Sequence, residues 1–482
     1  PTPARRASTA MSLMKLDRLG EALAMISSEP PAVEEQIAHG VILTHAGQPG
    51  RAALQAALTV IDASTRLDDT WFELLADSLW SAGDRVLAVE AASKRIERSP
   101  ANASARTHLA QLLFESGDSE TSAEQAELAL TLSPGSQAAG QLLAKSLQDL
   151  GRFSEASGLW KGLQAHGAGD PGALAECAIR AGELELATGA AGELLQLDPN
   201  SQAARVIEGR ILVKKGEPAA GRLKIEQAVE LAPQGAEPYL ALADLHDESG
   251  DQRQVGETLT RAAQVNPGSA AIRMALARWL RSQGRLSEAF EAATRALELD
   301  PGNLDIVSVH ADLLRQLGHI EQAVANLRTA AVLKPRSWRI GLALAQALEA
   351  RGEHEEAASL AGAVPMSAPP ESLLIAAQIG VSTGINPDGA IKALTQAEQA
   401  GLSSPELDYW FGMALAASGR PDLAMKRFEQ ALLRLPDEQV ELREATTLGI
   451  ARSALGTGQI SLALSTLEQA LQWFRGSTDI LA

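Results

Sequence analysis

Residues Gly167-Ala168-Gly169-Asp170-Pro171-Gly172 match the Gly-x-Gly-x-x-Gly spacing that lets a backbone close on a pyrophosphate. That chemistry needs a strand running into the turn and a helix leaving it. Here the segment follows a stretch of helical periodicity, so the glycines are expected to serve a turn between helices and to hold no cofactor. A nucleophile needs a base and an orienting partner, and nothing marks Cys177, the single cysteine, for that role. Its neighbours Ala175, Glu176, Ala178 and Ile179 place it on a short apolar helix, where a packed, inert thiol is expected. The eight histidines, His39, His45, His108, His166, His246, His310, His319 and His354, show no His-x-x-x-His or related ligand spacing, and no metal is expected. Acidic pairs such as Asp68-Asp69 and Glu355-Glu356 fall at turn or helix edges, where carboxylates cap and complement helix dipoles. Asn102-Ala103-Ser104 has the form of a glycosylation acceptor, but Asn102 also stands where a helix cap is required. These residues together predict no catalytic site.

The elements that would position any site are helices. Aromatics make up 3% of the 482 residues while 45% are hydrophobic and 21% charged, a balance that favours closely packed helices over sheets. The formal net charge of −18 disfavours a nucleic-acid partner, because no basic stripe is segregated along the chain. A single cysteine excludes an intramolecular disulfide and leaves the redox compartment open. No apolar run approaches the roughly 20 residues that span a bilayer, so no membrane insertion is expected. The opening Pro1-Thr2-Pro3-Ala4-Arg5-Arg6 does not read as a signal peptide, and the lack of an initial Met is consistent with a processed or trimmed chain.

A period organises everything else. Gly182, Gly216, Gly250, Gly284, Gly318 and Gly352 recur every 34 residues, and Pro199, Pro233, Pro267, Pro301, Pro335 and Pro369 keep the same beat. The phase extends through Gly151, Gly117 and Gly83, and more loosely to Gly47 and Gly20 on one side and Gly384, Gly419 and Gly458 on the other. About fourteen repeats result. They form one continuous array over residues 1–482, regular over about 69–369 and more irregular over 1–68 and 370–482. The odd steps of 27, 36, 31, 32, 35 and 39 residues are expected to be absorbed in turns.

Within residues 270–303, Ile272, Leu276, Ala277 and Leu280 form one apolar helical stripe. Gly284 supplies a left-handed stop, and a second helix runs from Leu286 through Ala289, Ala293, Ala296 and Leu297 to Pro301. Asn102, Ser136, Ser201, Ser269, Asn303, Ser337 and Ser404 each precede a first helix and can accept from its unpaired N–H groups. Start, stripe and stop agree, which predicts an all-α solenoid of helix-turn-helix units.

This pattern resembles the tetratricopeptide repeat, most legibly over residues 405–436, where Trp410, Phe411-Gly412, Gly419, Ala424, Phe428, Ala431 and Pro436 follow its order. The usual first-helix Tyr is replaced by aliphatics such as Leu280, Leu314 and Leu348. The resemblance implies a right-handed superhelix whose first helices line a groove. It also implies a fold specific in form and nearly silent on function. At one groove position the chain reads Asp77, Gln111, Lys145, Glu176, Arg210, Asp244, Arg278, Asp312, Gln346, Gln378, Met413, Arg452. The asparagines with which family members clamp chaperone tails are absent there, which disfavours that partner.

Alternating signs one repeat apart have two readings. They pair along the stack as exposed ion pairs worth about 0–1 kcal/mol each, or they leave a cationic surplus. The surplus, at Arg278, Arg281 and Arg315 with Arg210 and Lys214, would grip acidic side chains or a terminal carboxylate. Trp80 and Phe114 towards one end, and Tyr409, Met413 and Leu448 towards the other, fall where they could anchor a partner. The expectation is a non-catalytic scaffold or adaptor that binds a protein or peptide, with a polysaccharide disfavoured by the scarcity of aromatics. Its Ala-rich length resembles scaffold parts of bacterial envelope and exopolysaccharide-export machinery, with periplasm and cytoplasm both open. The alternative is a regulatory arm of a larger enzyme, of glycosyltransferase or sulfotransferase type, whose catalytic domain lies elsewhere.

Overall fold

The computed structural model describes residues 2–26, 32–46, 48, 50–61, 67–436 and 438–473. Among these the regular structure is 28 helices in fourteen consecutive pairs, with no strand. The chain divides into two compact units, Pro1–Asp300 with Ala330–Ser337, and Pro301–Thr329 with Trp338–Ala482. In the first unit the pairs are α1 (Pro3–Lys15) and α2 (Leu19–Ala24), α3 (Val33–His45) and α4 (Arg51–Val60), α5 (Asp69–Ser81) and α6 (Arg85–Arg98), α7 (Ala103–Ser116) and α8 (Ser119–Leu132), and α9 (Gln137–Asp149) and α10 (Phe153–Ala165). They continue with α11 (Pro171–Ala181) and α12 (Leu184–Leu197), α13 (Gln202–Lys214) and α14 (Pro218–Leu231), α15 (Ala236–Glu248) and α16 (Gln252–Val265), and α17 (Ala270–Ser282) and α18 (Leu286–Leu299). The second unit holds α19 (Leu304–Gln316) with most of α20 (Ile320–Leu333), then α21 (Trp338–Arg351) and α22 (His354–Gly362), α23 (Pro370–Ser382) and α24 (Pro387–Gln399), α25 (Pro405–Ala417) and α26 (Pro421–Arg434), and α27 (Val440–Gly456) and α28 (Ile460–Trp473).

One pair shows why these residues fold so. Ser269 accepts the Ile272 N–H at 3.3 Å and starts α17. Ile272, Ala277 and Leu280 are buried along its stripe, and Ala289, Ala292, Ala293 and Ala296 bury the facing stripe of α18. Between them Gly284 takes φ 72°, and the Arg285 N–H donates back to the Leu280 carbonyl at 3.0 Å. A side chain would strain that left-handed position, so glycine recurs there. Asn102, Ser136, Ser201, Asn303 and Ser404 cap their helices in the same way as Ser269. Asn102 further donates to Asp69 at 2.8 Å, which fixes it as a structural cap.

Three features differ from the sequence reading. Gly20 lies inside α2, and the left-handed turn before that helix is made by Asp17 at φ 59°, one of the few side chains that tolerate it. Gly47 lies outside the described residues. The irregular steps are taken up largely by helix length: α11 has 11 residues and α27 has 17 where most first helices have 13, and α22 has 9 where most second helices have 14. Four added residues are close to one 3.6-residue turn, so α27 lengthens without rotating its packing stripe away from its neighbours.

First helices of successive repeats touch one another, α11 with α13, α13 with α15 and α15 with α17 in the first unit, and α23 with α25 and α25 with α27 in the second. Their unburied side chains therefore form a continuous polar face within each unit. The Ala330–Ser337 stretch belongs with the first unit because the Arg336 N–H donates to the Ser116 carbonyl at 3.1 Å and its guanidinium lies 3.0 Å from Asp118. Among the described residues no helix is long and apolar enough to cross a membrane.

Candidate functional site

A 34-residue period forces residues at one helical position to meet their counterparts one repeat away. On the first-helix face of the first unit this places Glu176 of α11 between two arginines. Its carboxylate accepts from Arg180 Nε at 2.8 Å and from Arg210 Nη1 at 2.8 Å. Arg210 Nη2 then lies 3.7 Å from Asp244 Oδ2 on α15, and Lys214 Nζ reaches Glu248 at 3.3 Å. Nearer the start, His108 pairs with Asp77 at 2.9 Å. All are solvent-accessible, so each is worth about 0–1 kcal/mol.

The ladder stops at Asp244. Arg278, the next residue in the series, is exposed on α17 and makes no hydrogen bond or ion pair among the described residues. Between these two positions opens a cleft of about 560 Å³, with Leu240, Ala243, Asp244 and Asp247 of α15 on one wall and Ala275, Arg278, Trp279, Ser282 and Gln283 on the other. Gln252, Val255 and Leu259 of α16 make its floor. Gln252 ties the walls together. Its Nε2 donates to Asp247 at 2.6 Å, its carbonyl accepts from Trp279 Nε1 at 3.2 Å, and its Oε1 accepts from Gln283 at 3.3 Å. Desolvation in the cleft pushes the Asp244 carboxyl above the usual carboxylate range, against the pull of Arg210, with Glu248, Asp247 and Glu176 adding to the rise. Its side chain stays 72% accessible, so solvent screens the effect and its contribution to stability is small.

Arg281, half-buried on α17, is engaged by other groups and does not line the cleft. Arg315 belongs to the second unit and donates to Asp312 of its own helix at 2.7 Å. Trp80 is half-buried against the core, with the Arg85 guanidinium stacked 3.8 Å above it, and Phe114 is half-buried against the neighbouring core. In the second unit Tyr409 and Met413 are both half-buried on α25, and Tyr409 meets Trp410 edge-on at 5.3 Å. Burial pushes the Tyr409 hydroxyl up, partly offset by Arg452.

A second cleft, of about 670 Å³, lies between α24 and α26 over α25. Asp408, buried at 4% exposure, accepts there from Arg427 at 3.0 Å and Arg434 at 2.8 Å, while Arg427 also binds both oxygens of Glu398 at 2.7 and 2.8 Å. Arg427 sits 4.1 Å above the Phe411 ring. The hydrogen bond from Arg427 lowers the Glu398 carboxyl below its ordinary range. These charges satisfy one another and leave the network no obvious free valence.

The remaining chemical candidates are structural in their placement. Cys177 is fully buried, and burial pushes its thiol up to about 11, with Glu176 adding to the rise. Gly167 and Gly169 lie at the turn from α10 into α11 and Gly172 in the first turn of α11, which Asp170 caps by accepting from the Gly172 and Ala173 N–H groups. Among the described residues no group of three or more His, Cys, Asp or Glu is placed to hold a metal. Sequence reasoning missed Trp279 and Gln252 as parts of this cleft. The available signal was Gly256 in mid-helix, since a Cβ there would lie 2.3 Å from the Trp279 ring.

Comparison with known proteins agrees with the repeat geometry. A family model described as Tetratricopeptide repeat matches residues 73–137, 240–303, 309–368 and 386–439, and a second model of the same description matches 280–332. No curated protein matches the chain in sequence. Among solved structures, a crystal structure of the APC/C hetero-tetramer Cut9-Hcn1 is similar at TM-score 0.45 and 14% identity over 93% of this chain and 94% of that one. Yeast Tom70 is similar at TM-score 0.37 and 16% identity over 86% and 93%. A tetratricopeptide repeat protein from Parabacteroides merdae ATCC 43184 is similar at TM-score 0.41 and 16% identity, over 51% of this chain and 98% of that one.

Proposed function

We propose that this chain, which belongs to the tetratricopeptide repeat family, is a non-catalytic scaffold that holds a partner protein along the first-helix face of its first unit. The observation that carries this reading is the interrupted ladder. Charges on that face pair one repeat apart from Glu176 to Asp244, and then the pairing gives way to an open cleft with the Arg278 guanidinium, unpaired among the described residues, beside it. An unpaired cation beside a concave, partly apolar wall offers a partner both charge contact and burial. Arg210 and Lys214 serve as the scaffold of that face. Trp80, Phe114, Tyr409 and Met413 supply apolar surface that further anchors could use.

The test is affinity capture from native lysate with the parent and an Arg278→Glu variant, followed by titration of the captured partner. The expected loss is more than about 2 kcal/mol of binding, the range for desolvated charge contacts at an interface, with helix content unchanged. Equal capture and equal affinity would refute the reading. A finer placement, in the envelope or exopolysaccharide-export machinery of a bacterium, draws support only from the Ala-rich length of the array. Capture of envelope or export components would support it, and a wholly unrelated partner set would count against it.

A further inference from the structure

Resting on that reading, the cleft beside α15 and α17 carries information about the partner's chemistry. Its walls differ in sign. The α15 wall presents Asp244 and Asp247 with Glu248 beside them, and the α17 wall presents Arg278. Arg210 reaches Asp244 only at 3.7 Å and holds its shorter bond to Glu176, so the Asp244 carboxylate is half-compensated. Asp247 accepts from a neutral amide, Gln252, and meets no cation among the described residues. Arg278 has no partner at all among the described residues. A purely anionic ligand would meet Arg278 and be repelled by the opposite wall, and a purely cationic one would meet the reverse. Only a ligand with both signs a short distance apart satisfies both walls.

We infer that the cleft receives an extended segment of the partner protein in which a basic and an acidic side chain lie close in sequence, the basic one directed to Asp244 and Asp247 and the acidic one to Arg278. The segment passes between the half-exposed Leu240 and Ala275 of the two walls, where a small apolar residue between the two charges fits the lining. Trp279 is held by Gln252, so the wall is preformed and does not have to be ordered on binding. Desolvation, and after it Glu248, Asp247 and Glu176, raise the Asp244 carboxyl against the pull of Arg210, and an incoming cation would favour its charged form.

The test uses three labelled peptides of equal length on the full chain. One alternates Lys and Glu with single alanines between them, and the others carry Lys only or Glu only at those positions. Fluorescence anisotropy at about 0.15 M ionic strength, where the field of the −18 net charge is screened beyond about 8 Å, should show the mixed peptide bound at least about tenfold more tightly than either single-sign peptide. Arg278→Asp should shift the preference to the all-Lys peptide by about tenfold, and Asp244→Lys with Asp247→Lys should shift it to the all-Glu peptide. Circular dichroism confirms that each variant keeps its helix content. The inference is overturned if a single-sign peptide binds the parent as well as the mixed one, if neither variant changes the preference, or if no peptide binds by about 1 mM. Lysate capture that still depends on Arg278 while the peptides fail would leave the scaffold reading standing and remove this one.

Discussion

Trp279 carries the residue-scale argument, because its indole occupies space that almost any side chain at position 256 would fill. A Cβ on Gly256 would fall 2.3 and 2.4 Å from two ring carbons, closer than packed atoms approach. Alanine there gains about 1 kcal/mol of helix propensity over glycine but forces an overpacked ring to move, at about 1–3 kcal/mol. Gly256→Ala is therefore expected to lower stability by about 1 kcal/mol, read as a lower urea midpoint, and to loosen the α17 wall of the cleft. An unchanged midpoint would mean that the ring moves freely. At this scale the sequence was only partly readable. Arg278 stood out because its series is periodic, and Asn102 because caps recur in register. Trp279 and Gln252 did not, because their meeting depends on how α16 and α17 pack, with the Gln252 carbonyl accepting from the indole and its side chain reaching Asp247.

At the scale of elements, the helix pairs were legible because two periods, 34 for the repeat and 3.6 for the helix, had to agree along the chain. Helix lengths were not, because a step of 39 residues between Gly419 and Gly458 gives no sign of whether turn or helix holds the excess. The 17-residue α27 holds much of it. Its docking on α25 and α26 turns on Phe428, buried to 1% exposure between two glycines on different helices. A Cβ at Gly412 would lie 2.6 Å from that ring, and one at Gly449 would lie 2.7 Å from it. Gly412→Ala and Gly449→Ala, each an overpacking cost of about 1–3 kcal/mol less about 1 kcal/mol of helix propensity, should each destabilise the last repeats by about 1 kcal/mol. Both act through the same ring, so the double variant should cost less than the sum. Proteolysis should then begin near the C-terminal repeats, whereas strictly additive losses would show that the two glycines face independent contacts.

Across the whole molecule, stability in a repeat array is nearly a sum of repeat and nearest-neighbour terms, so each unit should report its own buried groups. Each carries a buried histidine: His246 at 5% exposure in the first and His310 at 6% in the second. Desolvation lowers both below the usual histidine range. Arg222 adds to the fall at His246 against Asp251 and Glu226, and His310 is lowered by burial alone. A histidine whose folded value is depressed is neutral in the fold and takes up its proton more readily when unfolded. Its contribution is complete above the unfolded value of about 6.5 and is lost as pH falls from there through the folded value, at up to about 1.4 kcal/mol per pH unit for each group. Carboxylates held low by arginine, such as Glu398, act in a separate and more acid window, where stability drains below the ordinary carboxylate value. Urea unfolding at pH 7.5 and pH 5.5 should therefore lower the midpoints of both units before the carboxylates titrate. His246→Gln should flatten that slope for the first unit only, and His310→Gln for the second only. If either substitution leaves its own unit's slope unchanged, the acid sensitivity arises elsewhere, and if one substitution flattens both slopes, the two units unfold as a single cooperative body.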